Sequence, residues 1–308
     1  MRTAAQGPLL SKMKSKILAA VLKQLRVAPD FTREGIEKYR EFLDTSARAF
    51  KIDRTAGFKP VHLNGVPGAW ILPANAGERS VVLYLHGGGF IAGSIASHRD
   101  LATRIANASG SKTVIIDYRL APEHPFPGGL EDAVQAYTWL LNHGFSASRM
   151  AIAGDSAGGG LALSLLLTIK DRGLPMPGSA ALISPWTDLE CKNRSHTTNQ
   201  KTDPMLNQHM LFSTAQLYTG EKNWDHPLVS PANGDFQGMC PLLVQVGSRE
   251  VLQDDAVLLV KKAKAAGVPA ELEIWDGMFH VWHYFSRYLT QGREAVEKIG
   301  SFIKAHSQ

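Results

Sequence analysis

The stretch MAIAGDSAGGG, residues 150–160, sets a single serine between glycines at the end of an apolar run. Residues 154–158, GDSAG, fit the pattern G-x-S-x-G, in which a strand turns sharply into a helix and the serine hydroxyl stands above the sheet edge. The flanking glycines let strand and helix approach each other without a Cβ clash. A packing turn or a phosphate loop could carry the same letters, so the surrounding sequence has to decide.

Short β-rich runs alternate with helical patterns on both sides of this stretch. Continuous apolar strands that alternate with helices indicate βαβ units and a parallel sheet covered on both faces. We therefore predict an α/β fold with a mostly parallel, doubly wound sheet. The strand runs are 81–85, 113–117, 150–154, 180–184, 241–247 and 270–275, and the helical patterns are 11–25, 33–49, 98–108, 129–142, 158–171, 252–266 and 292–305.

Two further segments lie outside this alternation. VHLNGVPGAWIL, residues 61–72, predicts two short strands around turns at Asn64-Gly65 and Pro67-Gly68. The segment from Pro185 to Pro241 is too long for a plain loop in a compact domain, and it predicts an inserted subdomain.

The composition excludes several classes of protein. Of 308 residues, 44% are hydrophobic and 20% are charged, which is ordinary globular usage. The two cysteines are too few for a disulfide framework, and no apolar run reaches the roughly 18 residues of a membrane span. We expect a cytoplasmic protein with no stable membrane insertion.

Positive charge is concentrated at the front of the chain. Residues 1–60 hold 13 Lys/Arg and 6 Asp/Glu, whereas the whole chain carries a net charge of +5. Such a segment could approach a membrane or acidic partners. The sequence favours a simpler interpretation, in which these basic residues lie on the solvated faces of amphipathic helices. No dense basic run with interleaved aromatic residues points to nucleic acid as a partner.

Chemistry-bearing residues follow several of the predicted strands. HGGGFIAGS (86–94) follows the first core strand, GSREVLQDD (247–255) the fifth and DGMFHVWH (276–283) the sixth. Active sites of open α/β sheets lie at the carboxyl ends of the strands. A glycine loop, a serine, acidic residues and a histidine are therefore expected at one edge of the sheet, which favours Ser156 as a nucleophile.

The glycine loop predicts an oxyanion hole. Acyl transfer builds negative charge on a carbonyl oxygen, so N–H donors must already point at that position. We expect the donors to be Gly88, Gly89 and Ala157. A rival interpretation takes 87–93 as the glycine turn of a nucleotide-binding oxidoreductase, with Asp117 on the ribose. The glycine spacing departs from that pattern, and the rival leaves Ser156 and the histidine without a role.

The histidine and the acid complete the constellation. His280 follows the last core strand and is the expected base, while His283 lies three residues further on. A metal pair is conceivable, but no third ligand has zinc-type spacing, so we expect no metal. Glu250 is the favoured acid and Asp254 is the next. Asp254 and Asp255 both sit where a helix begins, and carboxylates in the first turn of a helix are commonly partners of its dipole.

Several motifs together resemble the hormone-sensitive-lipase-like carboxylesterases, the GDSAG-motif bacterial family IV of the α/β-hydrolase superfamily. They are HGGGF, DYRLAPEHPFP (117–127), GDSAGG and the late FH, and the likeness covers most of residues 60–305. The resemblance implies an α/β-hydrolase fold and a carboxylesterase for small esters that needs no cofactor. One departure is that the family's usual Asp is Glu250 here. The MFHVWH stretch also looks like bacterial monoterpene lactone hydrolases.

The family resemblance further implies a helical cap over the site. We expect N-terminal cap helices in residues 1–55, and a catalytic domain in 56–308 with a cap insertion at about 187–226. Some apolar residues near strand ends or in the cap are expected to line an acyl pocket, although aromatic residues are more often core. These candidates for substrate binding are Phe90, Trp186, Met205, Leu206, Phe212 and Trp282.

The predicted reaction is serine carboxylesterase chemistry on short- to medium-chain acyl esters. Ser156 attacks, His280 moves the proton, and Glu250 orients the imidazole. Lactonase, amidase or deacetylase activity on the same triad remains open. A non-catalytic binder on a hydrolase scaffold is disfavoured because all the parts are present. The expected partner is a small ester, and a homodimer is left open.

Overall fold

The computed structural model describes residues 9–24, 26, 29–49, 53, 55–74, 76–220 and 223–306. Its centre is an eight-stranded sheet of order β1-β2-β4-β3-β5-β6-β7-β8. The strands are β1 (Ala56–Leu63), β2 (Val66–Pro73), β3 (Gly77–Leu85), β4 (Ser111–Ile116), β5 (Met150–Asp155), β6 (Ser179–Ile183), β7 (Leu242–Gly247) and β8 (Ala270–Trp275). The helices are α1 (Leu9–Gln24), α2 (Arg33–Ala49), α3 (Ile95–Ser109), α4 (Gly128–Asn142), α5 (Ala157–Asp171), α6 (Ser195–Thr198), α7 (Gln208–Thr219), α8 (Gln253–Ala265) and α9 (Thr290–His306).

The sheet is parallel from β4 to β8, and only the pairings β1–β2 and β2–β4 are antiparallel. Alternate residues of β3 point to opposite faces. Leu83 joins an apolar cluster that includes residues of α4, α5 and α8, whereas Val82 joins a cluster with residues of α3 and α9. The mostly parallel, doubly wound α/β-hydrolase sheet is therefore confirmed.

The turn between β1 and β2 forms at Asn64-Gly65, where both residues have positive φ, 52° and 92°. The second predicted turn, at Pro67-Gly68, is wrong because both residues lie inside β2. Glycine serves close strand approach there: a Cβ atom at Gly68 would lie 2.8 Å from Leu63 Cδ1. A glycine signal for a turn and one for close packing look alike in sequence.

The N-terminal helices pack against the segments that surround the sheet edge. In α1, Ala19 belongs to an apolar cluster with Trp275 and Phe279. In α2, Arg40 is a clamp: its guanidinium donates to Ile91 O at 2.7 Å and to Ala121 O at 2.8 Å, and it pairs with Glu123 at 2.8 Å. The predicted cap boundaries, 1–55 and 187–226, remain a prediction, although α6 and α7 do fall in the inserted segment.

None of the described helices has the length and apolar character needed to cross a membrane. Cys191 and Cys240 are both buried free thiols.

Candidate active site

Ser156 occupies a sharp turn between β5 and α5, with φ 55° and ψ −124°. A serine rarely adopts this left-handed backbone, and such strain clusters at functional positions. The flanking glycines are sterically required. A Cβ atom at Gly154 would lie 2.4 Å from Gly158 O, and one at Gly158 would lie 2.1 Å from Leu85 O. The GDSAG stretch therefore brings the strand and the helix into contact and holds the serine at the carboxyl end of the sheet.

A continuous hydrogen-bonded chain runs from this serine through a histidine to a carboxylate. His280 Nε2 lies 2.9 Å from Ser156 Oγ, and His280 Nδ1 lies 2.9 Å from Glu250 Oε2. His280 is 4% exposed and Glu250 is fully buried, so water does not compete for the inner bond. This is the geometry of a nucleophile, a general base and an orienting acid.

The Glu250 carboxylate is fixed through its other oxygen. Glu250 Oε1 accepts hydrogen bonds from the Gly247 N–H at 2.6 Å and from the Ser184 hydroxyl at 2.8 Å. Burial opposes protonation of His280, but the hydrogen bond and the charge of Glu250 outweigh it and raise the pKa of His280 above its ordinary 6.5. The protonated form of His280 is therefore stabilised.

The alternative acids lie elsewhere and hold the inserted segment. Asp254 Oδ2 accepts a hydrogen bond of 2.8 Å from the Ser195 N–H. Asp255 accepts from the Thr187 N–H at 2.9 Å and lies 2.8 Å from His196 Nε2. Burial opposes the charge of His196, but its contact with Asp255 raises the pKa to about 11.

The three expected oxyanion donors lie on the two loops that meet at Ser156. Gly88 and Gly89 have φ values of 118° and 66°, so both take backbone conformations that suit glycine. Ala157 is the first residue of α5, directly after the serine. In the part of the chain that the structure describes, the N–H groups of these three residues donate to no protein acceptor. They are the type of donor that a developing oxyanion requires.

Asp155 supports the glycine loop from below. Its Oδ1 atom accepts hydrogen bonds from the Tyr84 hydroxyl at 2.7 Å and from the Gly87 N–H at 3.1 Å. Burial alone would raise the pKa of Asp155, but His98 and the hydrogen bond from Tyr84 hold it below the ordinary value. Burial lowers the pKa of the neighbouring His86 to about 3, so that this ring is a neutral part of the scaffold.

The six expected pocket residues fall in different places. Phe90 follows the glycine loop and Trp186 follows β6, and their ring centroids are 5.7 Å apart. The backbone N–H of Trp186 donates to Ser156 O at 3.0 Å. Leu206 and Met205 are half-buried in the inserted segment and pack against different apolar clusters. Phe212 lies on α7, is 49% exposed and packs against Trp224, whereas Trp282 is fully buried in the cluster with Trp275.

Four residues that the sequence did not single out also shape the site. Ser184 binds the acid, and Asp203 joins the inserted segment to the acid loop through bonds to the N–H groups of Met205 and Val251. Tyr218 stacks on Phe90 with ring centroids 3.9 Å apart, and Thr214 lies over Gly89. A polar residue at a strand end could have indicated Ser184; no sequence signal marks the other three.

The second histidine of the late motif has a separate place. His283 Nε2 lies 2.7 Å from Gln245 Oε1, and burial lowers the pKa of His283 to about 3. Gln245 and Glu273 continue this polar chain away from Ser156. His283 is therefore a neutral packing residue beneath the His280 loop.

Known proteins resemble this chain over nearly its whole length. It is 43% identical to an acetyl-hydrolase of Streptomyces hygroscopicus over 277 residues, which cover 89% of this chain and 91% of the relative. It is 34% identical to an esterase of Acinetobacter venetianus, over 91% of this chain and 90% of the relative. A crystal structure of an esterase from the bacterial hormone-sensitive lipase family superimposes with a TM-score of 0.91 at 41% identity, covering 99% of this chain and all of the other.

The family model described as alpha/beta hydrolase fold matches residues 82–284, a span that contains Ser156, Glu250 and His280. The relatives are named esterases and acetyl-hydrolases, so the protein is a carboxylic ester hydrolase. The chain belongs to the α/β hydrolase fold family, among its bacterial hormone-sensitive-lipase-like carboxylesterases.

Proposed function

We propose that the protein hydrolyses small esters with short- to medium-chain acyl groups through an acyl-enzyme on Ser156. The observation that carries this proposal is the unbroken pair of 2.9 Å contacts from Ser156 through His280 to Glu250. His280 takes the serine proton as general base, and Glu250 orients the ring. The N–H groups of Gly88, Gly89 and Ala157 receive the carbonyl oxygen.

The reaction follows from this arrangement in two halves. Ser156 Oγ bonds to the ester carbonyl carbon while its proton moves to His280 Nε2. The tetrahedral oxyanion that results accepts hydrogen bonds from the N–H groups of the loop. His280 then gives the proton to the alkoxide, and the C–O bond to the alcohol breaks. Water repeats these steps on the acyl-enzyme, releasing the carboxylic acid and free Ser156.

The contacts around the nucleophile support a limited acyl pocket. Phe90 and Trp186 flank the serine turn, and both rings are buried and in contact with other side chains. Tyr218 stacks on Phe90 and extends this wall. Thr214 of α7 lies close over Gly89, since a Cβ atom there would come within 2.8 Å of Thr214 Cγ2. Long acyl chains would have to displace these aromatic residues.

A panel of p-nitrophenyl esters from acetate to laurate tests this proposal. We expect kcat/KM to be highest for the short esters and to fall for laurate, and a fluorophosphonate probe to label Ser156. Tyr218→Ala should shift the preference towards longer chains, and exposed Tyr288→Ala is the matched control. Inactivity across the panel, with Ser156 unlabelled, would refute the mechanism. A preference for laurate would refute only the proposed limit on acyl-chain length.

A second candidate is deacetylation of an acetylated compound. It is favoured by the 43% identity to a protein named acetyl-hydrolase. The same triad can also open lactones, to which the MFHVWH resemblance points. Kinetics with an acetate ester, the matching acetamide and a monocyclic lactone separate these activities, and a higher kcat/KM for the acetamide or the lactone would replace the linear ester as substrate.

A cytoplasmic location is part of the proposal. It is supported by the two free, buried cysteines, since thiols persist in reducing compartments. Cell fractionation with an antibody tests it, and recovery from the culture medium would contradict it.

A further inference from the structure

Helix α1 carries apolar residues on two opposite faces. Its inner face contributes Leu18, Ala19 and Leu22 to the apolar cluster around Phe279. Its outer face carries Met13, Ile17 and Val21, which are 53%, 57% and 42% exposed. Surface helices ordinarily turn polar residues outwards. On this helix, exposed apolar side chains therefore accompany the exposed lysines.

The three exposed side chains form one continuous strip, which we call the outer stripe. They stand four residues apart, and residues at this spacing are neighbours on one helix face. At about 100° of rotation per residue, exposed Lys14 lies along one side of the stripe, and exposed Lys16 and Lys23 lie along the other. Lys23 also donates to Lys201 O at 2.8 Å, which anchors its side.

The charged residues of helix α1 itself all have the same sign. The chain has no Asp or Glu before Asp30, and α1 has four lysines in its 16 residues. An apolar strip edged by lysines is the pattern of a helix that lies in a membrane interface. The lysine stems can follow the apolar surface while the ammonium groups reach lipid phosphates.

We propose that the outer stripe of α1 docks the enzyme on an anionic lipid surface. Met13, Ile17 and Val21 enter the interface, and the flanking lysines bind the phosphate groups. A second copy of this chain fits less well, because antiparallel or parallel pairing of two stripes would bring lysine against lysine. The occupant is thus a surface with negative headgroups, and the attachment is peripheral.

Docking at this helix would bring the active site close to the lipid. The inner face of α1 shares an apolar cluster with Met278 and Phe279, the two residues that precede His280. Half-buried Met205 of the inserted segment packs against the same cluster. Esters dissolved in the lipid surface would therefore be concentrated beside the loop that carries the base. This inference goes beyond the proposed ester hydrolysis and can fail without it.

Vesicle sedimentation of the full-length protein tests the docking. The probes are vesicles of phosphatidylcholine alone and with a third of phosphatidylglycerol, at low and high salt. We expect binding only to the anionic vesicles, weakened by high salt. The triple variant Met13→Ser/Ile17→Ser/Val21→Ser and the charge reversal Lys14→Glu/Lys16→Glu should each weaken it at least about tenfold.

Helix α8 supplies the matched controls. Lys261→Glu/Lys264→Glu changes net charge by the same amount, and Leu258→Ser removes an exposed apolar side chain at another surface. These controls should keep vesicle binding, and all variants should keep their activity on soluble p-nitrophenyl acetate. Absence of binding to anionic vesicles, or equal losses in the α8 controls, would overturn the proposal. So would a dimer in light scattering that the α1 variants dissociate, since the occupant would then be a second copy.

Discussion

The Ser184 hydroxyl bridges Glu250 and the histidine loop: it donates to Glu250 Oε1 at 2.8 Å and accepts from the Val281 N–H at 3.2 Å. Glutamate is one methylene longer than the aspartate that is usual at this place in the family. A longer side chain has more rotamers to lose, so more contacts are needed to aim it. Ser184 and the Gly247 N–H hold one oxygen and leave Oε2 to face His280.

Removing this bridge should slow the chemical step. We expect Ser184→Ala to lower kcat roughly tenfold, the size of one hydrogen bond to a charged group, with little change in KM. The acidic limb of the pH–rate profile should move as Glu250 loosens, a change that a purely structural role would not produce. Ser179→Ala, at a fully buried position at the start of β6, the strand that Ser184 follows, is the control. An unchanged kcat in Ser184→Ala would rule out the positioning role.

The identity of the acid can be tested by paired substitutions. Glu250→Gln should reduce kcat/KM by about 10³-fold or more, as lesions of the triad acid do. Asp254→Asn should keep most activity, because Asp254 binds the Ser195 N–H instead of His280. The reverse ranking, measured with p-nitrophenyl butyrate, would reassign the acid.

The pH dependence follows from the raised pKa of His280. Burial lowers that pKa, but the Glu250 contacts outweigh it, so the base stays protonated above the ordinary 6.5. The general base must be neutral, and activity is therefore lost as the pH falls through this raised pKa. The acidic limb of kcat/KM should lie above 6.5. In Glu250→Gln it should move to lower pH, and a limb that stays in place would argue against this origin.

The proposed oxyanion role of the glycine loop can be tested with a second variant that restores activity. Gly89→Ala would bring a Cβ atom within 2.8 Å of Thr214 Cγ2, and we expect a loss of about 10²-fold in kcat. Thr214→Ser removes that methyl group and should restore part of the rate. Gly88→Ala meets the backbone oxygen of Ala92 at 2.2 Å, so Thr214→Ser should not rescue it. Equal rescue of both variants would show that Thr214 does not cause the clash.

The strained serine turn predicts a stability difference between two inactive variants. Ser156→Ala and Ser156→Gly should both lose at least about 10³-fold in kcat. Glycine takes φ 55° with ψ −124° without strain, whereas alanine, like the native serine, is strained there. The glycine variant should therefore be more stable towards urea by about 1 kcal/mol. If alanine is the more stable of the two, the turn stores no strain.

The strands, the hairpin turn and the loops that meet at the carboxyl edge of the sheet could be predicted because their sequence signals are local. Apolar runs indicate strands, and Asn64-Gly65 indicates a turn, within a few residues. Because active sites of open α/β sheets lie at the carboxyl ends of the strands, Ser156, Glu250 and His280 could then be expected close together. Asp203 could not be found this way, since it binds the Val251 N–H only when the inserted segment folds back. Thr214 and Tyr218 depend on how α7 is rotated over the glycine loop, which is decided by tertiary packing.

Through the Arg40 clamp, helix α2 supports the glycine loop. One guanidinium holds the carbonyl groups of Ile91 and Ala121, so the loop that carries Gly88 and Gly89 rests on a helix that precedes the first strand of the sheet. Shortening the chain from its front would therefore damage catalysis before it damaged the sheet. Engineers who seek a wider entrance should leave α2 in place and alter α7.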